Sequence, residues 1–227
     1  MKKFFANKGN NASTNVTIPE GFCYKEGTVD SGFIIENNTG DQYVLVPAGY
    51  TTEGMYVRDF WISRFEISKG DENVPRSVMG ANPWVNINFY DARTVAESVG
   101  GGLISSEEYS RICMWLVQTQ ASDFESVYVN GKNNGNYSST RKLTKTGSNS
   151  DWQHNHIYDF FGNGYIWTTE KSELYHHHHI IRSGHSCNDK NATCYPPANR
   201  TWAKPEEYSD ITTFRIVLHC DTEVEEE

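Results

Sequence analysis

Three short blocks in the second half of the chain constrain its fold more than any other feature. Residues 155–168 read NHIYDFFGNGYIWT, residues 181–186 read IRSGHS, and residues 212–219 read TTFRIVLH. The first block places a Gly-Asn-Gly turn between aromatic segments, and the third is a β-rich run around an arginine. The order of the blocks indicates the fold, whereas the residues inside each block decide which chemistry the fold can support.

Composition argues against several classes of partner and site. The chain has 227 residues, enough to bury a sizeable core, and a net charge of -9 at pH 7. No local basic patch offsets this charge, so we expect no nucleic-acid partner. The longest apolar runs have the length of strands, so we expect no membrane insertion. The five cysteines follow no CxxC spacing, which argues against a zinc site.

The chain divides into three parts by composition. Residues 1–30 are polar and rich in Asn and Thr, so we predict an N-terminal arm or attachment segment there. Residues 31–220 begin with two β-rich runs joined by a hairpin turn at residues 37–41, followed by a strand with alternating faces at residues 60–67. We predict one folded domain over residues 31–220, followed by an acidic tail over residues 221–227.

Two helices are predicted in the middle of the domain. The first covers residues 90–99 and is stopped by three consecutive glycines. The second begins at Ser105, where Glu108 three residues later completes a capping-box pattern. The spacing of its apolar residues predicts a buried stripe, so Cys113 is expected to be a core residue: Tyr109, Ile112, Cys113 and Leu116.

The ordered blocks resemble the formylglycine-generating-enzyme/sulfatase-modifying-factor family. Its C-terminal half carries a GNVWEWT-like turn, then an RGGS segment, then a closing GFR strand. Two further blocks of the family have counterparts at Pro83, Val85, Asn86, Ile87, Phe89, Asp91 and Ala92, and at Gly102, Leu103, Glu108 and Tyr109. The resemblance implies an α+β, C-type-lectin-like fold with two helices, small antiparallel sheets and long irregular loops.

The phage and prophage branch of this family is a closer likeness. The matching residues are Leu103, Ile104, Glu108, Tyr109, Ile112 and Trp115, then Thr146 to Asn149 with Trp152, then Pro197, Ala198 and Arg200. The likeness implies a non-catalytic protein of the phage virion, assembled in the host cytoplasm, in a tail, fibre or capsid surface. Its head would bind a host cell-surface glycan or protein, or other virion proteins, as a homo-oligomer or part of a larger assembly. A structural decoration subunit is a further alternative.

The family's catalysts provide the competing interpretation. They bind Cu(I) through two cysteines and oxidise a substrate cysteine with oxygen, and Cys187 and Cys194 lie in the corresponding region. However, Cys187 falls one place early relative to Arg182, and the gap between the two cysteines is wider than in the family. We therefore expect no enzyme, with Cys187 and Cys194 as the catalytic residues of the alternative.

Calcium binding is a second family property that the residues support only weakly. In some members a glutamate between two tryptophans helps to bind calcium. In this chain Tyr165 and Ile166 replace the first tryptophan and that glutamate. Isoleucine offers no oxygen to a hard cation, so Asn163 is the one ligand that the turn retains. We expect no cofactor, with weak calcium binding as the alternative.

The histidine-rich segment after the second block is the predicted contact surface. Its residue types are adaptable and cost little to order at an interface, although an ordinary solvated loop remains an alternative. Consecutive histidines in a strand point to opposite faces, so they favour no dedicated metal site. Trp202 would pack on the core or stack on a ligand, whereas Asp159 and Arg215 are predicted to be structural. The predicted ligand-binding residues are Tyr175, His176, His177, His178, His179, His185, Asn188, Asp189, Tyr195 and Trp202.

Overall fold

A computed structural model gives the fold of the chain. It describes residues 2–7, 13–119, 135–137, 142–184 and 200–220. The two helices of this part are α1, Phe89–Glu97, and α2, Ser106–Thr119. Among the residues described, no helix combines the length and the apolar character needed to cross a bilayer.

Short strands make up most of the regular structure. In the first half they are β1 Lys2–Asn7, β2 Ser13–Ile18, β3 Phe22–Glu26, β4 Phe33–Asn37, β5 Gln42–Val46, β6 Gly49–Tyr50, β7 Tyr56–Val57, β8 Phe60–Ser63, β9 Ser68–Lys69 and β10 Pro75–Arg76. In the second half they are β11 Gly102–Leu103, β12 Gln153–His154, β13 Ile157–Tyr158, β14 Tyr165–Lys171, β15 His179–Arg182, β16 Thr201–Ala203, β17 Thr212–Thr213 and β18 Ile216–Leu218.

An antiparallel six-stranded sheet in the order β11-β18-β8-β5-β4-β3 forms the centre of the molecule. Neighbouring residues of each strand point to opposite faces, and both faces are buried. One face carries Phe33, Leu45 and Trp61 and packs with α1. The other carries Ile34, Val44 and Ile62 and packs with α2. The strand predicted at residues 60–67 therefore buries both of its faces, and regular pairing ends at Ser63.

The helices follow their sequence signals closely. The backbone N–H of Ser105 donates to Glu108 Oε2 at 2.7 Å, and the N–H of Glu108 donates to Ser105 Oγ at 3.1 Å. This reciprocal pair confirms the predicted capping box. Every residue of the predicted stripe of α2 is buried, and burial raises the pKa of the Cys113 thiol to about 12. Cys113 is thus a core residue, as predicted.

The first helix is shorter than its sequence pattern indicates. The chain leaves the helix after Glu97, and Gly100 adopts a φ of 76°, so the glycine stop is confirmed. Ala92 and Ala96 are buried against the sheet, whereas Val99 lies beyond the helix and is exposed. Val99 therefore takes no part in the packing of this helix.

The N-terminal segment is more closely integrated than the prediction of an arm over residues 1–30 indicates. Strands β1 and β2 form an antiparallel hairpin, and β3 pairs with β4 at the edge of the central sheet. Val16, Ile18 and Val29 are buried in the same core as α1. The packed core thus begins before residue 31, because these apolar side chains complete one face of the sheet. The acidic tail over residues 221–227 lies outside the described residues.

A second sheet of four strands lies beside the central one, in the order β16-β15-β14-β17. β14 is antiparallel to β15 and parallel to β17. The backbone N–H of Tyr165 and that of Thr169 bond to Ile211 and Ile104, which attaches β14 to the rest of the fold. Each of the three blocks that the sequence singles out contributes a strand to this sheet, and the third block continues into β18 of the central sheet.

Candidate functional site

The three sequence blocks meet around the Gly162 turn. Ile166 of the first block pairs with Arg182 of the second and with Thr213 of the third. Ser183 Oγ donates to the carbonyl oxygens of Phe160 at 3.0 Å and Gly162 at 3.3 Å. Blocks that lie far apart in sequence therefore form one packed unit.

The Gly162 turn is locked by its backbone surroundings. Gly162 has a φ of 70°, and a Cβ added there would lie 2.9 Å from the backbone N and O of Asn136. Asn163 has a φ of 59°, its N–H bonds to the carbonyl of Asn136 at 3.1 Å, and its side chain is buried. Because neither a side chain at Gly162 nor an ordinary backbone fits here, the glycine is a structural requirement.

The Asn163 side chain organises a buried polar network. Its Oδ1 accepts from Asn136 Nδ2 at 3.0 Å, from the Thr144 N–H at 2.8 Å and from Thr144 Oγ1 at 3.1 Å. Its Nδ2 donates to Glu66 Oε2. The oxygen that a calcium ion would need is thus occupied by three donors. Within the described residues, no group of three or more His, Cys, Asp or Glu side chains is arranged to hold a metal.

Two carboxyl groups and one guanidinium group are buried beneath the same turn. Arg215 is fully buried and donates to the carbonyls of Ser63, at 2.9 Å, and Tyr158. Asp159 Oδ2 accepts from the N–H of Gly147 at 2.7 Å. Burial and the nearby Asp159 raise the pKa of Glu66 to about 8, and burial also raises the pKa of Asp159. Asp159 and Arg215 are buried and hydrogen-bonded to the backbone, which agrees with the structural roles predicted for them.

Glu66 is the member of this network that sequence analysis missed. It lies within FWISRFEI, where its neighbours are apolar and no local motif marks a buried acid. An acidic residue between the apolar residues Phe65 and Ile67 is the signal that would have found it. Its partners come from positions 159, 163 and 215, so the network exists only in the folded chain.

A compact loop follows β14 and carries the first predicted contact residues. Ser172 closes it, because its N–H bonds to the His178 carbonyl at 2.9 Å. Ser172 Oγ also accepts from the Tyr175 N–H at 3.2 Å, and the Tyr175 carbonyl accepts from the His178 N–H at 2.7 Å. Both backbone polar groups of Tyr175 are therefore held within the loop. The fold presents this side chain from a fixed backbone.

Tyr175 and Trp202 form an exposed aromatic pair, which we call the aromatic platform. Trp202 lies on the edge strand β16, opposite Ile180 of β15. The two ring centroids are 5.1 Å apart and the ring planes are inclined by 32°. Tyr175 remains 48% exposed and Trp202 42% exposed. Trp202, for which sequence analysis left two roles open, thus has its ring at the surface, where it contacts Tyr175.

The four consecutive histidines divide between surface and core. His176 and His177 are exposed in a turn, and the ring of His178 lies 5.3 Å from that of Tyr175. His179 is different: it is only 7% exposed and stacks on Phe89 at 3.6 Å. Burial lowers its pKa, so it is a neutral packing residue. The prediction that His179 contacts a ligand is corrected accordingly. Only His179 lies in a strand, so alternation along a strand does not describe this run.

The remaining predicted site residues cannot be placed in this surface. His185, Asn188, Asp189 and Tyr195 lie outside the described residues, and so do Cys187 and Cys194. The described cysteines are Cys23, Cys113 and Cys220, and they form no disulfide with one another. The structure therefore brings together Tyr175, His178 and Trp202, with His176 and His177 in the same loop.

Comparison with known proteins establishes the fold. The chain matches solved structures of PvdO from Pseudomonas aeruginosa (TM-score 0.57, 14% identity, 82% of this chain and 98% of that one) and of CarF (TM-score 0.54, 14% identity, 79% and 98%). It also matches variable protein 1 of Treponema denticola (TM-score 0.53, 11% identity, 79% and 96%). No protein-family model matches the sequence, and no curated protein does. The predicted α+β, C-type-lectin-like fold class is confirmed.

Proposed function

We propose that this chain is a non-catalytic binding protein of a phage virion, whose lectin-like head attaches to a host cell-surface ligand through the aromatic platform. The observation that carries the proposal is the exposed pair Tyr175 and Trp202, held by a closed loop and an edge strand. Aromatic side chains give large contact areas at a low entropic cost. A rigid scaffold with such residues on a loop is a general design for recognition.

The polar residues beside the platform fit the same role. His176 and His177 are exposed and can donate or accept hydrogen bonds, while the tyrosine and tryptophan rings provide flat apolar faces. Residues 185–199, which hold the other predicted contact residues, follow β15 in the chain, and β16 with Trp202 comes directly after them. The likeness of the sequence to the phage branch supports a position in the virion, and the variable protein among the solved structures suits a fold that displays changeable residues.

The proposal is tested by retention of the purified protein on whole cells from a panel of bacterial strains of both envelope classes. Trp202→Ala and Tyr175→Ala should each reduce retention at least about tenfold, because each removes one half of the contact surface. A matched control is Tyr50→Ala with Tyr56→Ala, since these two rings are also exposed and packed together, at 5.5 Å. Retention that falls in the control variant but not in the two platform variants would overturn the proposal. A complete absence of retention on every strain would overturn it as well.

An oxygen- and Cu(I)-dependent oxidase is the competing function, favoured only by Cys187 and Cys194 in the sequence. It predicts thiol-dependent Cu(I) binding that is lost in Cys187→Ser and Cys194→Ser. Our proposal expects Cu(I) binding to be equal in the wild type and in both variants. A tight Cu(I) complex that needs both thiols would move the assignment to the enzyme.

The same protein and variants also distinguish the binding head from a structural decoration subunit. A decoration subunit would bind virion particles that lack it and would show no retention on cells. The binding head should show both, since it attaches to the virion and to the host. Cell retention that Trp202→Ala abolishes while virion binding persists is the expected result.

A further inference from the structure

A groove with a mixed polar and apolar lining crosses Trp84 on a part of the surface that shares no residue with the aromatic platform. One section has a volume of about 350 Å³ and lies between the exposed side of α1, the residues around Trp84, and the β9–β10 hairpin. A second section of about 480 Å³ continues past the same tryptophan. Lys69, Trp84 and Asn86 line both sections. These volumes lie within the range of small-ligand sites in proteins.

The groove combines one aromatic residue with a row of neutral polar groups. Trp84 is half-buried, so its indole is fixed against the core while part of it remains accessible. Asn73, Asn86 and Thr94 supply amide and hydroxyl groups in the first section, and Asn82 supplies an amide in the second. Thr94 Oγ1 donates to the Tyr90 carbonyl at 3.0 Å, which leaves its oxygen as an acceptor for a ligand.

Charge within the groove is asymmetric. The Lys69 ammonium lies 5.3 Å from the centroid of the Trp84 ring, and no ion pair among the described residues involves it. Asp91 lies at the other end of the first section, where its Oδ2 accepts from the Tyr208 hydroxyl at 3.0 Å. The central cation therefore remains available to an anionic group of a ligand, whereas one oxygen of the carboxylate is already bonded.

We propose that this groove binds an oligosaccharide that carries carboxylate substituents, with one carboxylate at Lys69 and a sugar ring against Trp84. A pyranose offers both an apolar C–H face for an indole and hydroxyl groups for carboxamides. An ammonium group pairs with a carboxylate through charge-assisted hydrogen bonds. The two sections together accommodate more than one sugar unit. This site is independent of the proposed function: it stands or fails separately from the platform.

Calorimetric titration with uronate tetrasaccharides of three kinds tests the site: galacturonate, mannuronate and the glucuronate-containing repeat of hyaluronan. At least one should bind with a Kd of about 1 mM or tighter, with a change in tryptophan fluorescence. Lys69→Gln should weaken that binding about tenfold, whereas Lys171→Gln, which removes an exposed charge elsewhere, should leave it unchanged. Reduction of the sugar carboxylates to alcohols should weaken wild-type binding and remove the difference between the wild type and Lys69→Gln.

A second variant guards against effects on folding. Asn86 has a φ of 52°, which glycine adopts freely, so Asn86→Gly keeps the backbone and deletes only the carboxamide. It should weaken the acidic and the reduced sugars alike. Trp202→Ala should change the binding of neither the acidic nor the reduced sugars, which separates this site from the platform. Failure of all three uronates at about 10 mM would overturn the proposal, as would equal losses in Lys69→Gln and Lys171→Gln, or equally tight binding of tetraglutamate.

Discussion

The two ends of strand β14 differ in almost every property. Its first residue follows the Gly162 turn, where Glu66, Asn163 and Arg215 are fully buried and bonded to one another or to the backbone. Its last residue leads into the loop of Tyr175, whose side chain remains 48% exposed. A strand of seven residues separates the ends by about 20 Å. The first end belongs to the buried core, whereas the second leads to an exposed side chain.

The contrast separates side chains that the packing requires from side chains that lie at the surface. Gly162, Asn163 and Arg215 are fixed by close packing and by buried hydrogen bonds. Within the described part of the chain, the rings of the aromatic platform serve no buried group as a hydrogen-bond partner. Substitutions there should therefore lower the free energy of unfolding only slightly. A substitution at each end should therefore separate stability from binding.

The largest expected effect comes from removing the buried cation. Arg215→Met leaves two buried carboxyl groups without their guanidinium and two carbonyls without their donor. We expect the free energy of unfolding to fall by about 3–5 kcal/mol, measured by urea denaturation. Arg93→Met, which breaks an exposed pair with Glu97, should cost less than about 0.5 kcal/mol. If both variants lose a similarly small amount of unfolding free energy, Arg215 does not stabilise the buried end of β14.

The second effect is a dependence of stability on pH. The pKa of Glu66 is raised from 4.5 to about 8, so the native state keeps a proton that the unfolded chain releases above pH 4.5. Its contribution is complete below pH 4.5 and is lost as the pH rises through about 8. We expect the free energy of unfolding to fall by on the order of 4 kcal/mol between pH 5 and pH 9, measured by urea denaturation at each pH.

Glu66→Gln should flatten that dependence, because the amide does not titrate. Glu107→Gln, at an exposed position of α2, should retain it. A wild-type profile that rises over the interval, or one that Glu66→Gln leaves unchanged, would show that Glu66 does not hold the proton.

A smaller effect on stability is expected at the capping box, which is a local sequence signal for the start of α2. Ser105→Ala removes the acceptor for the Glu108 N–H and should lower the free energy of unfolding by about 1 kcal/mol. Ser98→Ala, at the exposed end of α1, should change it by less than about 0.5 kcal/mol. Thermal unfolding monitored by circular dichroism measures both, and an equal change in the two variants would remove the role assigned to the capping box.

Local signals explain which parts of the fold could be predicted from the sequence. The capping box at Ser105 and the hairpin at residues 37–41 need only neighbouring residues, and both are present in the structure. The buried network could not be predicted, since Glu66 meets Asp159 and Arg215 only after folding. Val16 and Ile18 have the alternating spacing of a half-buried strand. The many polar residues around them instead favoured the prediction of an arm.

The surface was predicted less completely, for a similar reason. The four histidines form a uniform run in the sequence, and only the contact of His179 with Phe89 decides that it is buried. Whether Trp202 packs inward or outward depends on Ile180 and Tyr175, which join it from other strands and loops. Composition does not distinguish the side chains of this segment, whereas packing between its strands and α1 decides which of them are buried.

The central claim is tested most directly by one protein, the double variant Tyr175→Ala with Trp202→Ala, assayed for both properties in one preparation. We expect its free energy of unfolding to remain within about 1 kcal/mol of the wild type, because both rings are partly exposed and neither belongs to the buried core. Retention on the bacterial strain that binds the wild type should be lost. Retention at the wild-type level would contradict the account, and so would a loss of binding that occurs only together with unfolding.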